Sequence, residues 1–199
     1  MRPETKSHRQ EEIEAAAYQL LEKNGFAGTS MQGIARLAKA SNETLYNWYG
    51  DKLGLFNALV VRNATQVKTL LEQELSAKRD ALEILELLGP KLLTLLLGPR
   101  AIALNRAAAA DPSGALGQAL SQSGRETVLP LVRQVLERAK RSGQLDYDHS
   151  DQAVALYLDL LVGDLQIRRV IGTIPPPTAQ FCDVRSARAV SLLKQWTAP

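Results

Sequence analysis

Thr29, Ser30, Ser41, Asn42, Glu43, Thr44, Tyr46, Asn47 and Lys52 bring hydroxyls, amides, a carboxylate, a phenol and an ammonium into one short stretch of the chain. Groups of this kind suit hydrogen bonding to base edges and phosphate oxygens. Enzyme chemistry finds less support. His8 and His149 lie far apart, no HExxH or Gly-rich phosphate loop occurs, and no Ser, His and acid set sits in a recognisable motif. Cys182 is the single cysteine, so an internal disulfide or a multi-cysteine zinc site is excluded. It reads as a small buried hydrophobe, with Arg185 at helical spacing as its adjoining cation. In the acidic run 146–151, Asp151 stands where a calcium loop needs Gly and Tyr157 where it needs a bidentate Glu. That run reads as a turn leading to a helix cap at Ser150, and no metal or other cofactor is expected.

The elements that must hold these residues are helical. Apolar residues recur at spacings of three and four along most of the chain, and no stretch alternates long enough to make a sheet. The sequence predicts an all-α fold of about nine helices. The first covers residues 6–23, with Ile13, Ala16, Ala17, Leu20 and Leu21 on one face and Asn24-Gly25 as its end. Phe26 then anchors the chain, and Thr29-Ser30 caps a short helix over 31–38. Ser41 caps another over 42–49, and Gly50-Asp51 passes into a long helix over 52–75. Two short helices separated by three or four residues, covered by a preceding helix, have the arithmetic of a helix-turn-helix. Met31, Ile34, Ala35, Ala38, Leu45 and Tyr49 fall on inward faces; Asn42, Glu43, Tyr46 and Asn47 face outward. The free amides at Thr29-Ser30 favour a phosphate. Lys52 opens a helix, where the dipole disfavours a cation, which points to a partner outside that helix.

This segment resembles the DNA-binding domain of the tetracycline-repressor (TetR/AcrR) family of transcriptional regulators. The likeness runs over about residues 10–60 and is carried by Gly25-Phe26, Thr29-Ser30, Ile34-Ala35, Ala38, Ser41, Thr44-Leu45-Tyr46, Trp48-Tyr49, Lys52 and Leu55-Phe56. The resemblance implies backbone contacts from Tyr46 and Lys52 and further DNA contacts from Thr29, Ser41, Asn42 and Asn47. Three positions depart from the family pattern. Lys39 stands where the tight turn usually has Gly, at a steric cost if its φ is positive. Glu43 replaces a small residue and Trp48 a common His. Glu43 reads either as an acceptor for a cytosine amino group or as an acid favouring the helix start.

Further helices are expected over 82–97, 101–110, 126–141, 150–171 and 179–196, with a short helical piece over 115–121. The organisation that follows is a helix-turn-helix domain over 1–60 and a larger helical domain over 61–199 for ligand binding and dimerisation. One half-site contact is weak, so the family logic is a homodimer reading a palindrome. Ala153, Val154, Tyr157, Leu160, Leu161, Val184, Ala187, Val190 and Leu193 lie at helical spacing on the last two long helices and are candidates for a four-helix dimer bundle. Leu88, Leu92, Leu95, Leu96, Leu104 and Leu116 are candidates for a pocket taking an apolar or amphipathic effector. The helix over 52–75 joins both domains, so an effector that prefers the non-binding conformation would release DNA.

The 199 residues carry 45% hydrophobic and 23% charged side chains, which excludes disorder and a fibrous repeat. Net charge is +3, and residues 1–62 hold eight Lys/Arg against seven Asp/Glu, so a DNA surface must be local rather than a bulk basic field. Leu92 to Leu97 is the most apolar run and is far shorter than the roughly 20 residues that cross a bilayer. The charged start has no apolar signal core, and a cytoplasmic protein is expected. The competing reading is an all-α carrier or enzyme without DNA binding, or a helical scaffold; binding of a specific duplex with steep salt dependence separates them.

Overall fold

Short polar side chains begin the helices and left-handed residues end several of them. The structure, a computed structural model, describes residues 3–77 and 79–197, where the regular elements are eleven α-helices and one π turn. α1 (Pro3–Asn24) stops at Gly25, whose φ of +68° suits a residue without a Cβ. α2 (Met31–Leu37) is capped by the Ser30 hydroxyl, which accepts from the Gly33 amide, and α3 (Asn42–Tyr49) by Ser41, which accepts from the Thr44 amide. α4 (Lys52–Ser76) begins where the Asp51 carboxylate takes the Gly54 amide.

Asp80 caps α5 (Ala81–Leu97) by accepting from the Leu82 and Glu83 amides. Pro99 occupies the first position of α6 (Pro99–Ala109), where its missing N–H is no loss. Asp111 then gathers the Ser113 and Leu116 amides and leads into α7 (Ala115–Leu120). A π turn (Ser121–Arg125) runs without a break into α8 (Glu126–Arg141), so Pro130 lies inside helical backbone rather than at a helix start.

The apolar spacing predicts one helix over 150–171, and the structure divides it. α9 (Ser150–Leu161) ends ahead of Gly163, at φ +51°, and α10 (Leu165–Val170) follows. The Arg185 guanidinium donates to the Leu161 carbonyl at 3.0 Å, satisfying a group that the break leaves free. The cap of α9 is His149 in extended conformation, not Ser150, which is its first helical residue. Thr178 caps the final helix, α11 (Ala179–Trp196).

The chain forms two compact units, Met1–Arg62 with Ala103–Ser123, and Asn63–Ile102 with Gly124–Pro199. In the first, Ile13 and Ala17 of α1 meet Ile34, Leu45, Leu55, Phe56 and Leu59, and Leu104, Ala107, Leu116 and Ala119 belong to the same core. The core of the second draws on α5, α8, α9 and α11; α5 lies chiefly against α11.

Candidate nucleic-acid interface

The first unit builds the predicted helix-turn-helix from its core outward. Met31, Ile34, Ala35, Ala38 and Leu45 are buried as expected, and Tyr49 is half-buried. Burial pushes the Tyr49 phenol up to about 12, with the negative charge of Glu14 adding to the shift. Among the described residues its buried hydroxyl has no hydrogen-bond partner. Arg62 of α4 reaches back to Glu14 of α1 at 2.9 Å, tying the covering helix to the helix that follows α3.

The turn between α2 and α3 keeps a left-handed residue although that residue is lysine. Lys39 has φ +52°, and among the described residues it is the non-glycine with positive φ. Around it the Lys39 amide bonds the Arg36 carbonyl and the Ala40 amide bonds the Ala35 carbonyl, the two bonds of a Schellman ending. The Arg9 guanidinium of α1 donates to the Lys39 carbonyl and pairs with Glu12. The helix-turn-helix geometry is therefore preserved, and the strain of a Cβ at this position is accepted within it.

Seven candidates of the polar stretch stand at or near the surface. Ser30, Ser41, Asn42, Glu43 and Asn47 are exposed, Thr44 is half-buried with its hydroxyl 2.8 Å from that of Ser41, and Tyr46 is 49% exposed. With Leu45 fully buried between them, the outward face of α3 presents donors and acceptors on a fixed backbone. Two candidates are placed differently. Thr29 is 4% exposed and its hydroxyl donates to the Gly25 carbonyl at 2.7 Å. Lys52 points its ammonium at the Phe26 and Thr29 carbonyls, at 2.9 and 3.0 Å, so the partner expected outside its helix exists within the chain. Beside them is a cavity of about 10 Å³, near the lower limit for one water, lined by Phe26, Thr29, Ile34, Lys52 and Phe56 among others. Gln32 and Arg36 on α2, one turn apart, are exposed as well.

The other candidates divide between the units. Leu88 and Leu92 are buried and Leu95 and Leu96 half-buried in the second unit, whereas Leu104 and Leu116 are buried in the helix-turn-helix core. The six are divided between the two cores. Of the nine residues at helical spacing on the last helices, Ala153, Val154, Tyr157, Leu161, Val190 and Leu193 are buried in the chain's own core. Leu160 is half-buried, and Val184, at 63%, and Ala187 are exposed on α11.

Two family profiles match the chain. Residues 13–59 match "Bacterial regulatory proteins, tetR family", and residues 83–195, more than half of the chain, match "AefR-like transcriptional repressor, C-terminal domain". A comparison with curated proteins finds no match. Among solved structures, a TetR transcriptional regulator from Agrobacterium tumefaciens is similar at 27% identity and TM-score 0.73, over 99% of this chain and 95% of its own. The flavonoid-responsive regulator FrrA is similar at 25% identity and TM-score 0.69, over 97% and 98%. The transcriptional regulator FadR from Bacillus subtilis, in complex with stearoyl-CoA, has the same fold at 18% identity and TM-score 0.74, over 92% and 96%.

Proposed function

The chain belongs to the tetR family of DNA-binding transcriptional regulators, and from that premise we propose that it is a ligand-responsive repressor that reads a palindromic operator as a homodimer. The observation that carries the reading is the exposed row Ser41, Asn42, Glu43, Tyr46 and Asn47 on a helix whose opposite face, Leu45, is fully buried. Such a helix enters a major groove with its N-terminal residues at base edges. Asn42 and Asn47 offer amides for base readout, and Ser30, Thr44 and Tyr46 offer hydroxyls for phosphate oxygens. Thr29 and Lys52 support that face from within.

Dimerisation rests on the side of α9 and α11 left free by the core. Half-buried Leu160 and exposed Val184 and Ala187 are the dimer candidates that the core does not bury, and the small Ala187 allows close approach of a second copy. The effector proposed is apolar or amphipathic and is bound in the second unit, where α5 supplies Leu88, Leu92, Leu95 and Leu96. FadR holding stearoyl-CoA and a flavonoid-responsive FrrA are relatives of that habit. Both α4 and α6 have residues in each unit, and α4 directly follows α3 in the chain, so a displacement of α4 by an effector has a covalent route to α3. Among the described residues no helix is long and apolar enough to cross a membrane, and we place the protein with its operator in the cytoplasm, without catalytic activity.

Selection of bound fragments from random duplex DNA tests this reading. The expected product is an enriched palindrome whose half-sites are spaced by about one helical turn or a multiple of it. Absence of any enriched sequence, with the protein folded, contradicts it and favours the all-α carrier or enzyme.

A further inference from the structure

The turn that separates α2 from α3 holds a lysine where backbone geometry favours glycine. Lys39 has φ +52°, and the six other left-handed positions among the described residues are all glycine. Both backbone groups of Lys39 are committed: its amide donates to the Arg36 carbonyl, and its carbonyl accepts from the Arg9 guanidinium. Its side chain has no such partner. Lys39 is exposed, and among the described residues its ammonium enters no hydrogen bond or ion pair. Its field is felt at Glu12, whose carboxyl is held below its ordinary value first by the hydrogen bond from Arg9 and only last by the charge of Lys39. The strain at this turn is therefore not offset by a contact of the Lys39 side chain among the described residues.

We propose that Lys39 is a phosphate-binding residue of the operator contact, held at a strained position because its side chain reaches the DNA backbone there and glycine could not. Ser41, two residues on, caps α3, and the N-terminal end of α3 is the end that enters the major groove. Phosphates line both edges of that groove, so a cation just ahead of the cap stands beside one of them. Charge within the domain points the same way. Residues 1–62 hold eight Lys/Arg against seven Asp/Glu. Arg9 pairs with Glu12 and Arg62 with Glu14, whereas Arg36 and Lys39, three positions apart across the end of α2, are exposed and unpaired among the described residues. A duplex gains most from cations that no carboxylate already neutralises. The contact lies outside the family pattern, in which the turn usually has glycine and so no side chain. The inference rests on the operator reading above.

The test compares the full chain with Lys39→Gly, Lys39→Asn and Lys39→Arg. Gly and Asn accept a left-handed backbone and remove the charge, and Arg keeps the charge. Affinity is measured against salt for the duplex recovered by selection and for a duplex of unrelated sequence, because a phosphate contact serves both. Expected for Lys39→Gly and Lys39→Asn is a slope of log affinity against log salt shallower by about 0.9, with affinity lower by roughly tenfold at about 50 mM salt and by a few-fold at about 200 mM. Lys39→Arg should keep the slope of the parent. The urea midpoint of Lys39→Gly should meanwhile rise, so that stability and affinity move in opposite directions and the weaker binding is not loss of fold. An unchanged slope in Lys39→Gly and Lys39→Asn overturns the proposal even if affinity falls, since a fall without it belongs to turn geometry. A lower midpoint for Lys39→Gly overturns it as well, because the side chain would then be held by the fold. If selection enriches no duplex, the operator reading fails, whereas the slopes on the unrelated duplex still decide whether Lys39 meets a phosphate. Binding to neither duplex overturns both.

Discussion

Gly89 and Ser186 are so close that no side chain fits between them: a Cβ on Gly89 would lie 1.9 Å from the Ser186 hydroxyl oxygen and 2.6 Å from its Cβ. Pro90 follows, and because it has no N–H the Glu86 carbonyl one turn earlier lacks its helical donor. Ser186 donates to that carbonyl at 3.2 Å, and Tyr157 donates to the neighbouring Leu85 carbonyl at 3.1 Å. The Gly-Pro pair thus opens a notch in α5, and α9 and α11 fill it.

Replacement of Gly89 by Ala is expected to destabilise the protein by about 1–3 kcal/mol, despite the better helix propensity of Ala, because α5 and α11 must separate. Ser186→Gly added to Gly89→Ala should recover part of the loss, and Ser186→Ala alone should cost about 1 kcal/mol for the unbonded carbonyl. Urea unfolding of the four proteins measures all of these effects.

Lys39→Gly should stabilise the chain by about 1–2 kcal/mol, since φ +52° costs a residue with a Cβ and costs glycine little. The same denaturation curves read it, with a higher midpoint expected. A lower midpoint would mean that the Lys39 side chain contributes more than the strain it brings.

The Arg62 to Glu14 pair predicts an asymmetry. Glu14 is 6% exposed, so Arg62→Met leaves a buried carboxylate without its guanidinium. The loss should fall at or below the lower end of the roughly 3–5 kcal/mol seen for broken buried pairs, because Arg62 is partly solvated. Joint replacement of both residues by apolar ones should cost less than Arg62→Met alone, as a double-mutant cycle will measure.

Acid should weaken the Asp111 loop. The Leu116 amide, and after it the Ser113 hydroxyl, hold the Asp111 carboxyl below its ordinary value. A depressed folded value contributes stability that is present above the ordinary carboxylate value of about 3.9 and lost as pH falls through the folded value. Thermal melting of Asp111→Asn and the parent should therefore differ at neutral pH and converge only as the pH is lowered below the ordinary carboxylate value.

On the DNA face, Asn47→Ala should relax sequence preference at one operator position at a cost of about 1–3 kcal/mol, while Tyr46→Phe should weaken binding to all sequences alike. At the proposed dimer face, Val184→Arg should shift the protein toward monomer in sedimentation, since a charge would be buried against its own copy.

The sequence made the helix-turn-helix legible because each of its signals is local. Ser30 and Ser41 cap by contacts three residues away, and Leu45 and Ile34 follow one helical period. What it could not show are contacts between distant residues. Lys52 finds Phe26, Arg9 finds Lys39, and neither pairing leaves a periodic trace. Gly163 was visible as a glycine, yet only the Arg185 bond to Leu161 explains how α9 can stop there. Leu104 and Leu116 have the same apolar character as Leu88 and Leu92, so composition could not assign them to a different core. For the same reason, apolar spacing on α9 and α11 could not separate Tyr157, which is fully buried, from Val184, which is exposed.

The central claim, sequence-specific reading of a palindrome through α3, is tested most directly by titrating the purified protein with the selected duplex and with the same duplex carrying one scrambled half-site, at several salt concentrations. The account predicts that scrambling one half-site lowers affinity by about a thousandfold or more, toward the non-specific level, with steep salt dependence for both duplexes. Equal affinity for the intact and scrambled duplexes would contradict it.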